Sequence, residues 1–126
     1  MTKKVSILVV EDDIDLNGAY NMILSSAGYD VTSVFNGKEA LLHLKEQGDP
    51  RIMFLDLRMP VMDGIDFLKE YDAPKHSDTT IIVFSNYDAQ KEVDHAYDLG
   101  AHRYVLKARA APKELIRIVK DTLAEN

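Results

Sequence analysis

The sequence predicts an α/β domain: a doubly wound (βα)5 three-layer sandwich around a five-stranded parallel sheet. Three observations predict it. Short, continuous apolar runs recur along the chain, segments of helical spacing separate them, and no linker-like or low-complexity stretch interrupts the alternation. Continuous apolar runs suit strands covered by helices on both faces. Strand–helix alternation with short connections is the pattern of a parallel sheet.

The first strand is read over "VSILVV" (5–10), the third over "RIMFL" (51–55), the fourth over "TIIVF" (80–84) and the fifth over "YVL" (104–106). The second, "YDVTSV" (29–34), alternates more and reads as an edge strand. The first helix follows from the stripe Leu16, Tyr20, Ile23 and Ala27, and the second from Ala40, Leu41 and Leu44. Ile65 with Leu68 marks the third, and Val93, Ala96 and Tyr97 mark the fourth. Leu115, Val119 and Leu123 mark the last, which Pro112 opens at a favoured first-turn position. Gly28, Gly48 and Gly100 each follow a helical stretch, where a left-handed residue ends a helix with little strain. One domain is expected over residues 1–126, with no second domain or output module after the fifth helix.

Composition narrows the function. The 126 residues are 46% hydrophobic and 29% charged, ordinary for a globular domain, and the net charge of −6 argues against non-specific nucleic-acid binding. There is no cysteine, hence no disulfide framework and no thiolate metal site. The opening "MTKKVSILVVEDD" is too short in its apolar part for a signal peptide, and no apolar run approaches the ~20 residues of a membrane span. A cytoplasmic protein, monomeric or weakly dimeric, is expected.

In open parallel sheets, ligands bind beyond the carboxyl ends of the strands. The residues there are Glu11, Asp12 and Asp13 after the first strand, Asp56 after the third, Ser85 and Asn86 after the fourth, and Lys107 after the fifth. Crowded carboxylates raise one another's pKa unless a cation neutralises them. Hard oxygen donors suit Mg2+. Asp56 then has two possible roles, metal ligand and nucleophile, because a carboxylate can attack a phosphoryl group to form an acyl phosphate. Lys107 would offset charge on the phosphoryl oxygens, and Ser85 could donate a hydrogen bond to them. Taken singly, each residue has a plainer explanation. Asp12 or Asp13 can be a helix N-cap, as can Asp63 before "GIDFL". Ser85 can be a turn residue and Lys107 a solvated lysine. The agreement of four strand ends carries the functional reading.

These motifs resemble the receiver domain of two-component response regulators, the CheY-like, flavodoxin-like fold, over essentially the whole chain. "ILVVEDD" is similar to the family's acidic opening and "FLDLRMPVMDG" to its phosphoacceptor segment. "IIVFS" places Ser85 at the family's Ser/Thr position, and "LGAHRYVLK" places Lys107 at its lysine and Tyr104 at its aromatic switch. The resemblance implies that Asp56 is phosphorylated and that Mg2+ is held by Asp12, Asp56 and the main-chain carbonyl of Arg58, with Glu11 acting through water. Pro60 would fix part of the intervening turn, Gly64 would allow close approach to the next helix, and Met59 and Met62 would pack.

Four departures from the family pattern stand out. Lys107 is followed by Ala108 where a proline, often cis, is usual, so a trans bond or a rearranged loop is expected. Asn86 replaces a small residue and would narrow access to Asp56. Arg58 and Tyr87 fill the two variable flanking positions; both are bulky, and slow autodephosphorylation is expected if they exclude water. "HRY" (102–104) replaces the acidic pair of receivers that dimerise through the fourth helix, fifth strand and fifth helix. His43, His76, His95 and His102 show no metal-ligand spacing on one helix and are assigned to the surface.

The expected function is a stand-alone phosphoacceptor. A histidine kinase or histidine phosphotransfer protein would dock near the first helix and phosphorylate Asp56. The readout would be protein–protein contact with a downstream target whose identity the sequence does not name. Two alternatives compete. One is a pseudo-receiver that keeps the fold without phosphorylation. The other is an aspartate-nucleophile phosphohydrolase of the haloacid-dehalogenase-like kind, whose motif needs a second aspartate where Arg58 stands.

Overall fold

The computed structural model describes residues 4–125. Five strands, β1 (Ser6–Val10), β2 (Asp30–Val34), β3 (Ile52–Asp56), β4 (Thr80–Ser85) and β5 (Arg103–Leu106), form one parallel sheet in the order β2-β1-β3-β4-β5. They alternate with helices α1 (Ile14–Ser26), α2 (Gly37–Gln47), α3 (Gly64–Tyr71), α4 (Gln90–Asp98) and α5 (Pro112–Ala124). The predicted (βα)5 alternation is therefore the observed one, and β2 lies at an edge as its weaker pattern implied.

The two-residue period of a strand divides the apolar runs between two cores. Leu8, Val10, Met53, Leu55, Ile81 and Val83 face α2, α3 and α4, meeting Ala40, Leu44, Phe67, Leu68, Val93 and Ala96. Ile7, Val9, Ile52, Phe54, Ile82 and Phe84 face α1 and α5, meeting Tyr20, Leu24, Leu115 and Val119. Tyr20 stacks on Phe84 at 4.7 Å between ring centroids, and Phe54 on Phe84 at 5.2 Å. Both faces of β1, β3 and β4 are covered, which is why these runs are continuous.

Two helical stripes differ from expectation. On α1 the buried line is Asn17, Tyr20 and Leu24; Leu16 and Ile23 only flank it, and Ala27 is the exposed C-cap. The polar Asn17 hides the true phase of this helix from a hydrophobic pattern. On α4, Val93 and Ala96 are buried but Tyr97 is 42% exposed, at the margin of the helix face. Gly28, Gly48 and Gly100 all have positive φ, at 100°, 83° and 108°, as helix-ending glycines require. Asp63 caps α3, accepting from Asp66 N at 2.8 Å, and Asp13 rather than Asp12 caps α1, accepting from Leu16 N at 3.0 Å.

Register brings the strand ends together. Val10 is level with Leu55, Asp56 with Phe84, and Ser85 with Leu106. Glu11, Asp56, Ser85 and Lys107 thus line one edge of three adjoining strand pairs.

Candidate functional site

Glu11 begins the loop after β1 with its side chain fully buried, a costly position for a carboxylate. Two contacts hold it. Its Oε2 accepts from Asp13 N at 3.1 Å, and its Oε1 lies 2.8 Å from Lys107 Nζ. Lys107 also reaches Asp56, whose Oδ2 is 3.1 Å away and which is 3% exposed. Asp56 Oδ1 accepts from Arg58 N at 3.3 Å. Asp12 stands exposed at the mouth, and oxygens of Glu11, Asp12 and Asp56 all lie within 4.8 Å of one another.

The charges do not balance. Two buried carboxylates share one ammonium, so ionising both leaves a negative charge out of water. Burial pushes Glu11 up to about 7 against the pull of Lys107, with Asp56 pushing it further. Burial also raises Asp56, opposed by its hydrogen bond from Glu11 and by the Lys107 charge. Burial works against the charge on Lys107, yet the hydrogen bond to Glu11 and the Asp56 charge outweigh it and hold the ammonium above its ordinary range. Carboxylate oxygens in such a deficit fit a hard divalent cation, which takes carboxylates and water together. No other group of three carboxylate or imidazole side chains close enough to share an ion occurs among the described residues.

Ser85 ends β4 with its Oγ buried and, among the described residues, without a hydrogen-bond partner, one position beyond the Phe84 that pairs with Asp56. Asn86 is exposed beyond it. Tyr104 on β5 is 44% exposed and meets Tyr97 edge-on, with ring centroids 6.3 Å apart. It therefore stands outward, away from the carboxylates. Lys107 opens a 3₁₀ turn, Lys107–Arg109, and the Lys107–Ala108 bond is trans, as the missing proline implied.

The turn after Asp56 is tightly built. Met62 N donates to Pro60 O at 2.7 Å around Val61, whose φ is 68°. Met59 and Met62 pack against the core, as expected of them. Gly64 is compelled by space: a Cβ there would sit 2.6 Å from the Asp56 carbonyl oxygen. The shielding expected of Arg58 and Tyr87 is not supplied in this conformation. Tyr87 is 90% exposed, and the Arg58 guanidinium turns to α4, where Nε and Nη2 meet Glu92 at 2.7 and 2.8 Å and Nη1 meets Asp88 at 3.3 Å.

Sequence reasoning missed Asn17. Its Nδ2 donates to Glu11 O and Val34 O, both at 2.9 Å, tying the acidic loop to β2. The available signal was a poor helix former in phase with Tyr20 and Leu24. Two histidines also do more than decorate the surface. His76 Nδ1 lies 2.7 Å from Asp49 and its ring stacks on Tyr71 at 4.1 Å, while His102 Nδ1 accepts from Ile81 N at 3.0 Å.

A parallel sheet in the order 2-1-3-4-5, with an acidic cradle and a lysine at its carboxyl edge, defines a flavodoxin-like domain of the CheY type. The family model for the response regulator receiver domain matches residues 7–120, and the chain belongs to that family. It is similar to ycf27 of Porphyridium aerugineum, described as a probable transcriptional regulator, at 34% identity over 96% of this chain and 49% of that one. It is similar to the DNA-binding response regulator MtrA of Mycolicibacterium smegmatis at 32% identity over 99% of this chain and 53% of that one. The chain thus spans about half the length of these relatives. A CheY-like receiver domain protein from Methanospirillum hungatei superposes with a TM-score of 0.87 at 24% identity, over 98% of this chain and 96% of that one, which shows the shared fold. Asp56 as the last residue of β3, with Arg58 two residues on, also departs from the phosphohydrolase pattern.

Proposed function

We propose that residues 1–126 act as a single phosphoacceptor unit in the cytoplasm, monomeric or weakly dimeric, and that Asp56 receives a phosphoryl group from a histidine kinase or histidine phosphotransfer protein. An Asp56 oxygen attacks phosphorus, the new P–O bond forms as the P–N bond of the phosphohistidine breaks, and the bonding pair stays on the imidazole with a proton. Bound Mg2+ supplies charge neutralisation for the phosphoryl oxygens. Asp12, Asp56 and the Arg58 carbonyl would hold it, with Glu11 behind a water. Lys107 would move its ammonium from the carboxylates to a phosphoryl oxygen, and Ser85 Oγ, buried without a partner among the described residues, would donate to another. Tyr104 would turn inward as Ser85 moves, and Asn86 would border the entry. The product switches protein–protein contacts by shifting a population between two conformations. The chain turns over no external substrate.

The observation that carries this reading is the charge deficit: Glu11 and Asp56, both buried, lean on the single ammonium of Lys107. The test is intact-protein mass after incubation with Mg2+ and acetyl phosphate, with Asp56→Asn alongside. One phosphoryl adduct on the parent chain, absent without Mg2+ and absent in the variant, is expected. A parent chain that stays unmodified and fails to bind Mg2+ would instead be a pseudo-receiver.

A further inference from the structure

Arg58 follows the acceptor by two residues, and its two ends do different things. Its backbone N–H donates to Asp56 Oδ1 at 3.3 Å. Its guanidinium is committed elsewhere, forked onto Glu92 at 2.7 and 2.8 Å and onto Asp88 at 3.3 Å. Glu92 lies in the first turn of α4, and Asp88 lies in the loop joining β4 to it. One side chain therefore clamps the acceptor loop to the start of α4.

Beyond this fork, the start of α4 rests on small apolar contacts, the buried Ala89 among them. Its N-cap is Ala89, which has no side chain to satisfy the free N–H groups of the first turn. Only Val93 and Ala96 of its nine residues are buried. A helix with no side-chain cap, resting on Ala89, Val93 and Ala96, is a natural two-state element. The fork is half exposed, with Arg58 46% and Glu92 36% accessible, so it is weak enough to be competed away. A phosphoryl group on Asp56 would replace the single charge of the carboxylate with about −1.5 to −2 and set three strong acceptors beside the Arg58 backbone, and guanidinium pairs readily with such oxygens.

We propose that Arg58 is a charge-competed latch: it holds α4 through Glu92 and Asp88 when Asp56 is free, and a phosphoryl group on Asp56 draws the guanidinium away and releases the first turn of α4. This rests on Asp56 being the phosphoacceptor. Arg58 acts here as a positioning residue, and α4 is the element whose population shifts.

The test is amide hydrogen exchange over 90–98 in the parent chain, in Glu92→Gln and in the control Lys91→Gln. Each is measured unmodified and with excess acetyl phosphate and Mg2+, and the adduct is verified by mass. Glu92→Gln should speed exchange of the unmodified first turn about threefold, the scale of one exposed, well-aligned pair. Phosphorylation should speed the parent by a similar factor and add little to the already unlatched variant, a non-additivity that independent sites would not show. Lys91→Gln should behave like the parent. A modified Glu92→Gln whose exchange rises as much as the parent's overturns the latch while leaving the receiver reading intact. Equal exchange in the unmodified parent and variant does the same. Failure of the parent chain to form any adduct overturns both.

Discussion

Lys107 Nζ stands 2.8 Å from Oε1 of Glu11, a carboxylate with no exposed surface, at the carboxyl edge of the sheet. Lys107 is only partly accessible, at 23%, and it also serves Asp56 at 3.1 Å. Removing it would strand two buried carboxylates. Lys107→Met should therefore destabilise the metal-free protein by about 3 kcal/mol at pH 8, the scale of breaking a buried pair. The loss should shrink toward pH 5, below the Glu11 pKa of about 7, where that carboxyl takes up its proton. Urea unfolding at the two pH values measures it; equal losses at both would place the cost in packing of the lysine stem instead.

Glu11 also sets the pH dependence. Its pKa stands at about 7 in the fold against a reference of 4.5, chiefly through burial. The folded state thus binds more protons than the unfolded state between these values. The contribution of Glu11 is fully present below about pH 4.5 and is lost as pH rises through about 7. Metal-free protein should lose thermal stability from pH 5.5 to pH 8. Mg2+ should restore it most at the upper end, because it binds the ionised cradle of the folded state alone. Melting curves in EDTA and in Mg2+ across that range are the check, and curves that stay parallel would refute the assignment.

Asn17 has its amide nitrogen shared between the carbonyls of Glu11 and Val34 at 2.9 Å each. Asn17→Ala takes that donor from both carbonyls, of which Val34 O keeps the Glu11 N–H at 3.2 Å, and should cost about 1–2 kcal/mol. Asn17→Asp should cost more, since it replaces the donor with a charge beside Glu11. The alanine variant should also bind Mg2+ more weakly, because the loop carrying Glu11 and Asp12 is then tied to β2 only through the Glu11 N–H to Val34 O bond of 3.2 Å. Calorimetric titration with Mg2+ separates this effect from stability.

The alternation of continuous apolar runs with helical spacing was enough to order the strands and helices, because burial on both faces leaves an unbroken signature in β1, β3 and β4. The candidate site was legible for a related reason: a strand that runs out of apolar residues onto Asp56, or onto Lys107, marks its own exit from the core. What stayed hidden depends on tertiary placement. Asn17 is polar on a buried face, so no hydrophobic pattern points to it. The fork from Arg58 to Glu92 spans 34 positions and pairs residues that each read as ordinary surface charges. His76 and His102 likewise gained partners, Asp49 and Ile81, that only the folding of distant segments supplies. Tyr97 looked like core because its spacing fits the α4 stripe, yet the buried face of this short helix is only wide enough for Val93 and Ala96.

Val61 offers a last test, on the turn that shapes the acceptor loop. It is a β-branched residue at φ 68°, held by the Met62 N to Pro60 O contact of 2.7 Å, and it is 77% exposed. Left-handed backbone costs an L-residue about 1–2 kcal/mol, and more so a branched one. Its 77% exposure leaves little side-chain burial to offset this. Val61→Gly removes the clash but gives the unfolded chain more freedom, a counter-effect of about 0.5–1 kcal/mol. The net expectation is a gain of about 0.5–1 kcal/mol in urea unfolding without Mg2+. Val61→Ala, which keeps a Cβ at this γ-turn position but removes the branch, should gain a smaller part of that. If both variants instead lose stability, the Val61 side chain makes a favourable contact that its exposure does not reveal, and that contact outweighs the backbone strain. If they gain stability but bind Mg2+ less tightly, the strained turn contributes to Mg2+ binding, and the strain serves the site.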